Sequence, residues 1–68
     1  MQMDGKNRSE IKVGARVAIV QKADQRSGKL TDGVVAKILT KSGSHPHGIK
    51  VMTDSGIVGR VKKIYSDG

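Results

Sequence analysis

Residues 49–61 constrain the fold more than any other stretch. Ile49-Lys50-Val51-Met52-Thr53 alternates apolar and polar residues, the period of a strand with one buried face. Asp54-Ser55-Gly56 is a tight-turn signal, and Ile57-Val58-Gly59-Arg60-Val61 returns as a second strand. Just upstream, Ser44-His45-Pro46-His47-Gly48 holds the single proline and both histidines. Pro46 fixes its own φ and biases His45 away from helix. A constrained loop therefore feeds a hairpin. An isolated hairpin is marginal in water, so the rest of the chain must wrap this one to bury its apolar face.

The rest of the chain supplies the wrapping. Arg16-Val17-Ala18-Ile19-Val20-Gln21 is the first strand, with Val17 and Ile19 inward and Arg16 and Ala18 outward. Residues 22–29 are polar and end in Ser27-Gly28-Lys29, a turn-rich loop in which Gly28 is expected at positive φ. The second strand spans residues 30–39. Val35 and Ile38 are three apart and face the same way only if a bulge falls near Ala36-Lys37. The same spacing at Val58 and Val61, around Gly59, suggests another bulge or a break. Lys62-Lys63-Ile64-Tyr65 reads as a short fifth strand, and residues 9–14 as an extended lead-in, their helical potential cut off by Gly14.

Four to five short strands and no convincing helix predict an all-β fold, a small SH3-like barrel over residues 9–65. Residues 1–8 are expected to form a flexible tail and residues 66–68 to fray. The expected core is Val17, Ile19, Leu30, Val35, Ile38, Ile49, Val51, Val58, Val61 and Ile64. An OB-fold fits less well, since it usually needs a longer chain and a helix.

Composition narrows the chemistry. The 68 residues contain no cysteine, which excludes disulfides and thiolate metal sites. No apolar run approaches the length of a membrane span, and residues 1–9 are polar and charged, unlike a signal peptide. A cytoplasmic monomer with no membrane partner is expected. Thirteen Lys and Arg against six Asp and Glu leave a net charge of +7, a field that draws polyanions. Tyr65 is the only aromatic residue besides the histidines. Base-stacking platforms, grooves for proline-rich peptides and aromatic cages all lack parts here.

Three motifs invite sharper readings. His45-Pro46-His47 offers two imidazoles, but a zinc site needs three or four ligands, and the nearest acid in sequence is Asp54, beyond the third strand. No metal or other cofactor is expected; the bland alternative is a rigid turn whose imidazoles bond to backbone, and the third reading is direct ligand contact, by stacking on a base or bonding a phosphate. Ser27-Gly28-Lys29 looks like the end of a phosphate-binding loop, but Ala23 stands where its first glycine belongs and a strand follows where a helix is required. A looser reading keeps backbone amides near Gly28 for one phosphate oxygen, against an ordinary solvated loop. The acids are scattered, only loops supply Ser, His and Asp, and a barrel this small offers scant volume for a pocket of about 300–1,000 Å³. No catalytic residue is assigned, and no enzyme is expected.

Lys22-Ala23-Asp24-Gln25-Arg26-Ser27-Gly28-Lys29-Leu30-Thr31, Ile38-Leu39-Thr40, His45-Pro46-His47-Gly48-Ile49-Lys50-Val51 and Gly59-Arg60-Val61 together resemble the YwbE family of small prokaryotic proteins. The likeness runs from about Arg8 to Ile64 and implies no activity. Ser27 stands where that family often has threonine, and Ala23 where it often has lysine. A fainter likeness, over Gly33-Val34-Val35-Ala36-Lys37-Ile38, is to KOW-type modules, which are SH3-like and bind RNA or protein.

Two functions are carried forward. The first is a module that binds structured RNA, ribosomal RNA among the candidates. In an SH3-like barrel the loop between strands one and two lies beside the loop between strands two and three. That places Arg26 and Lys29 near His45 and His47, with Arg60 on the same rim and Lys50 on the outer face. Arginines would grip phosphates or stack on exposed bases, and lysines would add point charge. The second is a protein-interaction module that uses the histidine loop with outward-facing Ala18 and Met52.

Overall fold

A computed structural model describes residues 8–66. Two 3-10 turns and four strands follow one another: η1 (Arg8–Glu10), β1 (Arg16–Val20), η2 (Lys22–Asp24), β2 (Thr31–Ile38), β3 (Lys50–Thr53) and β4 (Val58–Ser66). The strands close into an antiparallel barrel in the order β1-β2-β3-β4. The expected all-β barrel is present. The tail expected over residues 1–8 lies outside the described residues except for Arg8, and the frayed end at 66–68 except for Ser66, the last residue of β4. Among the described residues, no helix is long and apolar enough to cross a membrane.

Four strands suffice because β4 does the work of two. Its first residues pair with β3 (Lys50↔Arg60, Val51↔Gly59, Met52↔Val58). From Arg60 onward it pairs with β1 (Val20↔Arg60, Ile19↔Val61, Ala18↔Lys63, Val17↔Ile64). The fifth strand expected at Lys62–Tyr65 is thus the second half of β4.

Bulges close the barrel. The register between β2 and β3 shifts between Val35 and Lys37, as the spacing of Val35 and Ile38 requires. Val35 is buried and Ile38 packs against the core. The β4 bulge sits further on than the sequence suggests. The β1 partners run from Val61 to Lys63 and from Ile64 to Ser66, each passing over one residue. The pair that the bulge reconciles is Val61 and Ile64, both buried, and the residue it expels is Lys62.

The core is Ile11, Ala15, Val17, Ile19, Val35, Ile49, Val51, Val61 and Ile64. Of the expected members, Ile38 is only half-buried against this core, and two are absent from it. Leu30 lies before β2 and is 38% exposed, and Val58 is 37% exposed. The inward position beside Val58 belongs to Gly59, where a Cβ would stand 2.7 Å from the Val20 carbonyl oxygen and 3.0 Å from Ile19 Cδ1. The barrel is too tight there for any side chain. Ala18, expected outward, is fully buried between its ladder neighbours Asp32 and Lys63. The lead-in is not extended either. Ile11 N donates to the Arg8 carbonyl at 3.1 Å and Ala15 N to the Lys12 carbonyl at 3.0 Å, and these turns tuck Ile11 and Ala15 into the core.

The hairpin turn at Asp54-Ser55-Gly56 forms as expected. Buried Thr53 organises it: Oγ1 accepts from Ile57 N at 3.2 Å and lies 3.0 Å from Ser55 Oγ.

Candidate functional site

Two loops meet over the middle of β4. The β1–β2 loop is held by short-range bonds. Gly28, at φ +72°, donates its amide to the Asp24 carbonyl at 2.8 Å, and the Gln25 amide reaches the Lys22 carbonyl at 3.4 Å. Lys29 N donates to Ser27 Oγ at 3.3 Å. These bonds spend the amides of Gly28 and Lys29 inside the loop, which leaves neither of them for the phosphate oxygen of the looser reading.

The β2–β3 loop is held by long-range bonds instead. Gly48 takes φ +101°, and its Cα lies so close to the Val61 carbonyl that a Cβ would collide with it. With the loop pressed onto β4, cations of that strand hold its carbonyls. An Arg60 guanidinium nitrogen donates to the Gly48 oxygen at 3.1 Å, and Lys62 Nζ to the His47 oxygen at 3.0 Å. Lys62 is the residue that the β4 bulge expels. Within the loop, His47 N donates to His45 Nδ1 at 3.1 Å, and the ring centroids lie 5.8 Å apart. A ring nitrogen that accepts a proton bond is unprotonated. Desolvation, then Arg60, then His47 hold the half-buried His45 below its ordinary value of 6.5. His45 is therefore the backbone-bonded imidazole of the blander reading. Among the described residues, no three His, Asp or Glu side chains gather as a metal site would need.

Where the loops meet lie two open clefts. One, about 580 Å³, is lined by Val20, Gln25, Gly28, His47, Arg60 and Lys62. The other, about 420 Å³, is lined by Val20, Lys22, Gln25, Lys50, Val58, Gly59 and Arg60. They share Val20, Gln25 and Arg60, and so form one groove with Arg60 at its centre. Among the described residues its lining carries Lys22, Lys50, Arg60 and Lys62 and no carboxylate. The scant interior volume argued from chain length does not extend to the surface, where the loops enclose the space.

Three of the six residues singled out in the sequence line this groove: Arg60, Lys50 and His47. His45 supports His47 from behind. Arg26 and Lys29 are exposed on the same loop as Gln25 and Gly28 but line neither cleft. Sequence reasoning missed Lys22, Gln25 and Lys62. The spacing of Val61 and Ile64 was the available signal for Lys62, because a bulge between two inward residues leaves an extra one outside.

The fold and this groove define a class: a small closed β-barrel with a cationic furrow between two loops. Within that class, the chain belongs to the family described as "Uncharacterized conserved protein (DUF2196)", whose model matches residues 4–64. It is similar to the "Uncharacterized protein YwbE" of Bacillus subtilis (strain 168), at 55% identity over 64 residues covering 94% of this chain and 98% of that protein. The resemblance read from the sequence is thereby borne out. No solved structure matches the chain.

Proposed function

We propose that this protein is a non-enzymatic module that binds structured RNA through its phosphates, with the Arg60 groove as the binding surface. One observation carries the reading: four cations line two adjoining clefts with no carboxylate among the described lining residues. Such a lining attracts phosphate at every point and offers no group to neutralise it internally. A guanidinium held at one nitrogen by the Gly48 carbonyl keeps further N–H donors for a ligand. Neither cleft is lined by Tyr65, whose hydroxyl donates to Asp32 Oδ1 at 3.2 Å. His47 and Arg60 are the stacking surfaces among the described lining residues, and with no Tyr, Phe or Trp beside them the lysines weight the groove toward the phosphate backbone. The protein-docking alternative loses Ala18, which is buried, and keeps the histidine loop and half-buried Met52.

The test is a titration of a folded RNA hairpin at several salt concentrations. A log–log slope of several units supports phosphate contacts, at roughly 0.7–0.9 per contact. Binding that does not respond to salt, or copurification with one protein that survives RNase, overturns the reading.

A further inference from the structure

Besides the His47 imidazole, which lines one cleft, the described groove lining holds one uncharged polar side chain that reaches both clefts. Of the described residues lining the two clefts, Gln25 alone carries a side-chain carboxamide, and it lines both. Its backbone caps η2, with the amide donating to the Lys22 carbonyl, and its side chain is exposed. The other glutamine at this end of the barrel, Gln21, donates from Nε2 to Thr31 Oγ1 at 3.1 Å and lines neither cleft. Gln25 is flanked by Lys22 and Lys50 in one cleft and by Lys62 in the other, with Arg60 common to both.

A phosphodiester backbone laid along these cations places phosphates at the lysines and a sugar between successive phosphates. The sugar's polar group in RNA is the 2′-hydroxyl, both donor and acceptor, and it is what separates RNA from DNA. A carboxamide matches it, because it also offers a donor and an acceptor on one planar group. A cation would only accept electron density from it, and an apolar side chain would desolvate it. From this placement we infer that Gln25 reads the ribose 2′-hydroxyl and makes the groove selective for RNA over DNA of the same sequence. The inference rests on the RNA reading above and adds to it a residue and a discriminating atom.

The experiment compares four duplexes of one sequence at one salt concentration: RNA, RNA with 2′-O-methyl groups, RNA with 2′-deoxy substitutions in one strand, and DNA. The 2′-O-methyl duplex keeps A-form geometry while losing the hydroxyl donor, so it separates the contact from helix shape. The native protein is expected to bind RNA roughly three- to tenfold more tightly than the 2′-O-methyl duplex, the range of one hydrogen bond. Gln25→Leu is expected to remove that preference, its affinity for RNA falling to its affinity for the 2′-O-methyl duplex. Its melting temperature should match the native protein's, because the side chain is exposed. Equal native affinity for RNA and 2′-O-methyl RNA overturns the inference and leaves the phosphate reading standing. So does a preference that survives in Gln25→Leu. Binding to none of the four duplexes removes both.

Discussion

The two walls of the groove are built differently. The β1–β2 loop closes on itself: the bonds of Gly28, Gln25 and Lys29 reach no further than four residues along the chain. The β2–β3 loop closes on the barrel: Arg60 and Lys62 hold its carbonyls across 12 and 15 residues. One wall is set by the chain's own turn chemistry and the other by the tertiary fold.

Two glycines give the sharpest contrast. Gly48→Ala should cost more than about 2 kcal/mol, because it adds both left-handed strain and a collision with the Val61 carbonyl. A barrel of this size rarely holds more than about 3–5 kcal/mol, so most of its stability would go. Gly28→Ala meets nothing within 4 Å, and only its φ of +72° opposes it. About 1 kcal/mol is expected there. Urea unfolding of both variants checks the order, and equal losses would remove the distinction between the walls.

Binding should follow the same contrast with smaller effects. Arg60→Ala is expected to weaken RNA binding roughly tenfold or more, as loss of a charge-assisted contact does. It should also flatten the salt slope by roughly 0.7–0.9. Arg60→Lys should recover part of the loss by restoring charge without the fork of donors. Arg26→Ala and Lys29→Ala, whose side chains line neither cleft, should each cost roughly twofold or less, as peripheral charges do. If the loop substitutions outweigh Arg60→Ala, the site lies on the outside of the first wall.

The smallest effect is in pH. His45 holds its proton less readily in the folded protein than its ordinary 6.5. Above about pH 6.5 it is neutral in both states and its bond from His47 N is intact. As the pH falls through 6.5, the unfolded chain takes up the proton first, so stability declines until the folded value is passed. Melting curves at pH 7.5 and 5.5 should show a larger drop for the native protein than for His45→Ala. An equal drop would mean that His45 contributes nothing to that wall.

The barrel was legible because its signals are local. Val35 and Ile38 at a spacing of three demanded a bulge, and it is there. Asp54-Ser55-Gly56 demanded a hairpin, and it is there. Periodicity failed where burial comes from elsewhere. Gly59 occupies an inward position without a side chain to announce it, so Val58 looked like core. Ile11 shares its lead-in with Val13, which stays exposed, and only the turns around Ile11 bring it inside. The site was half legible for a related reason. Arg60, Lys50 and His47 sit next to strong backbone signals. Lys22 and Gln25 reach the groove through a 3-10 turn that neither residue advertises, and Lys62 through a bulge placed one step further along β4.

The most direct test of the groove as the binding surface is amide chemical-shift mapping of the labelled protein during titration with an RNA hairpin. The largest shifts are expected at Gln25, Gly28, Lys50 and residues 59–62, with little change at Asp32 and Tyr65, whose side chains bond to each other away from both clefts. Shifts centred on Asp32 and Tyr65, or spread evenly over the barrel, would contradict it.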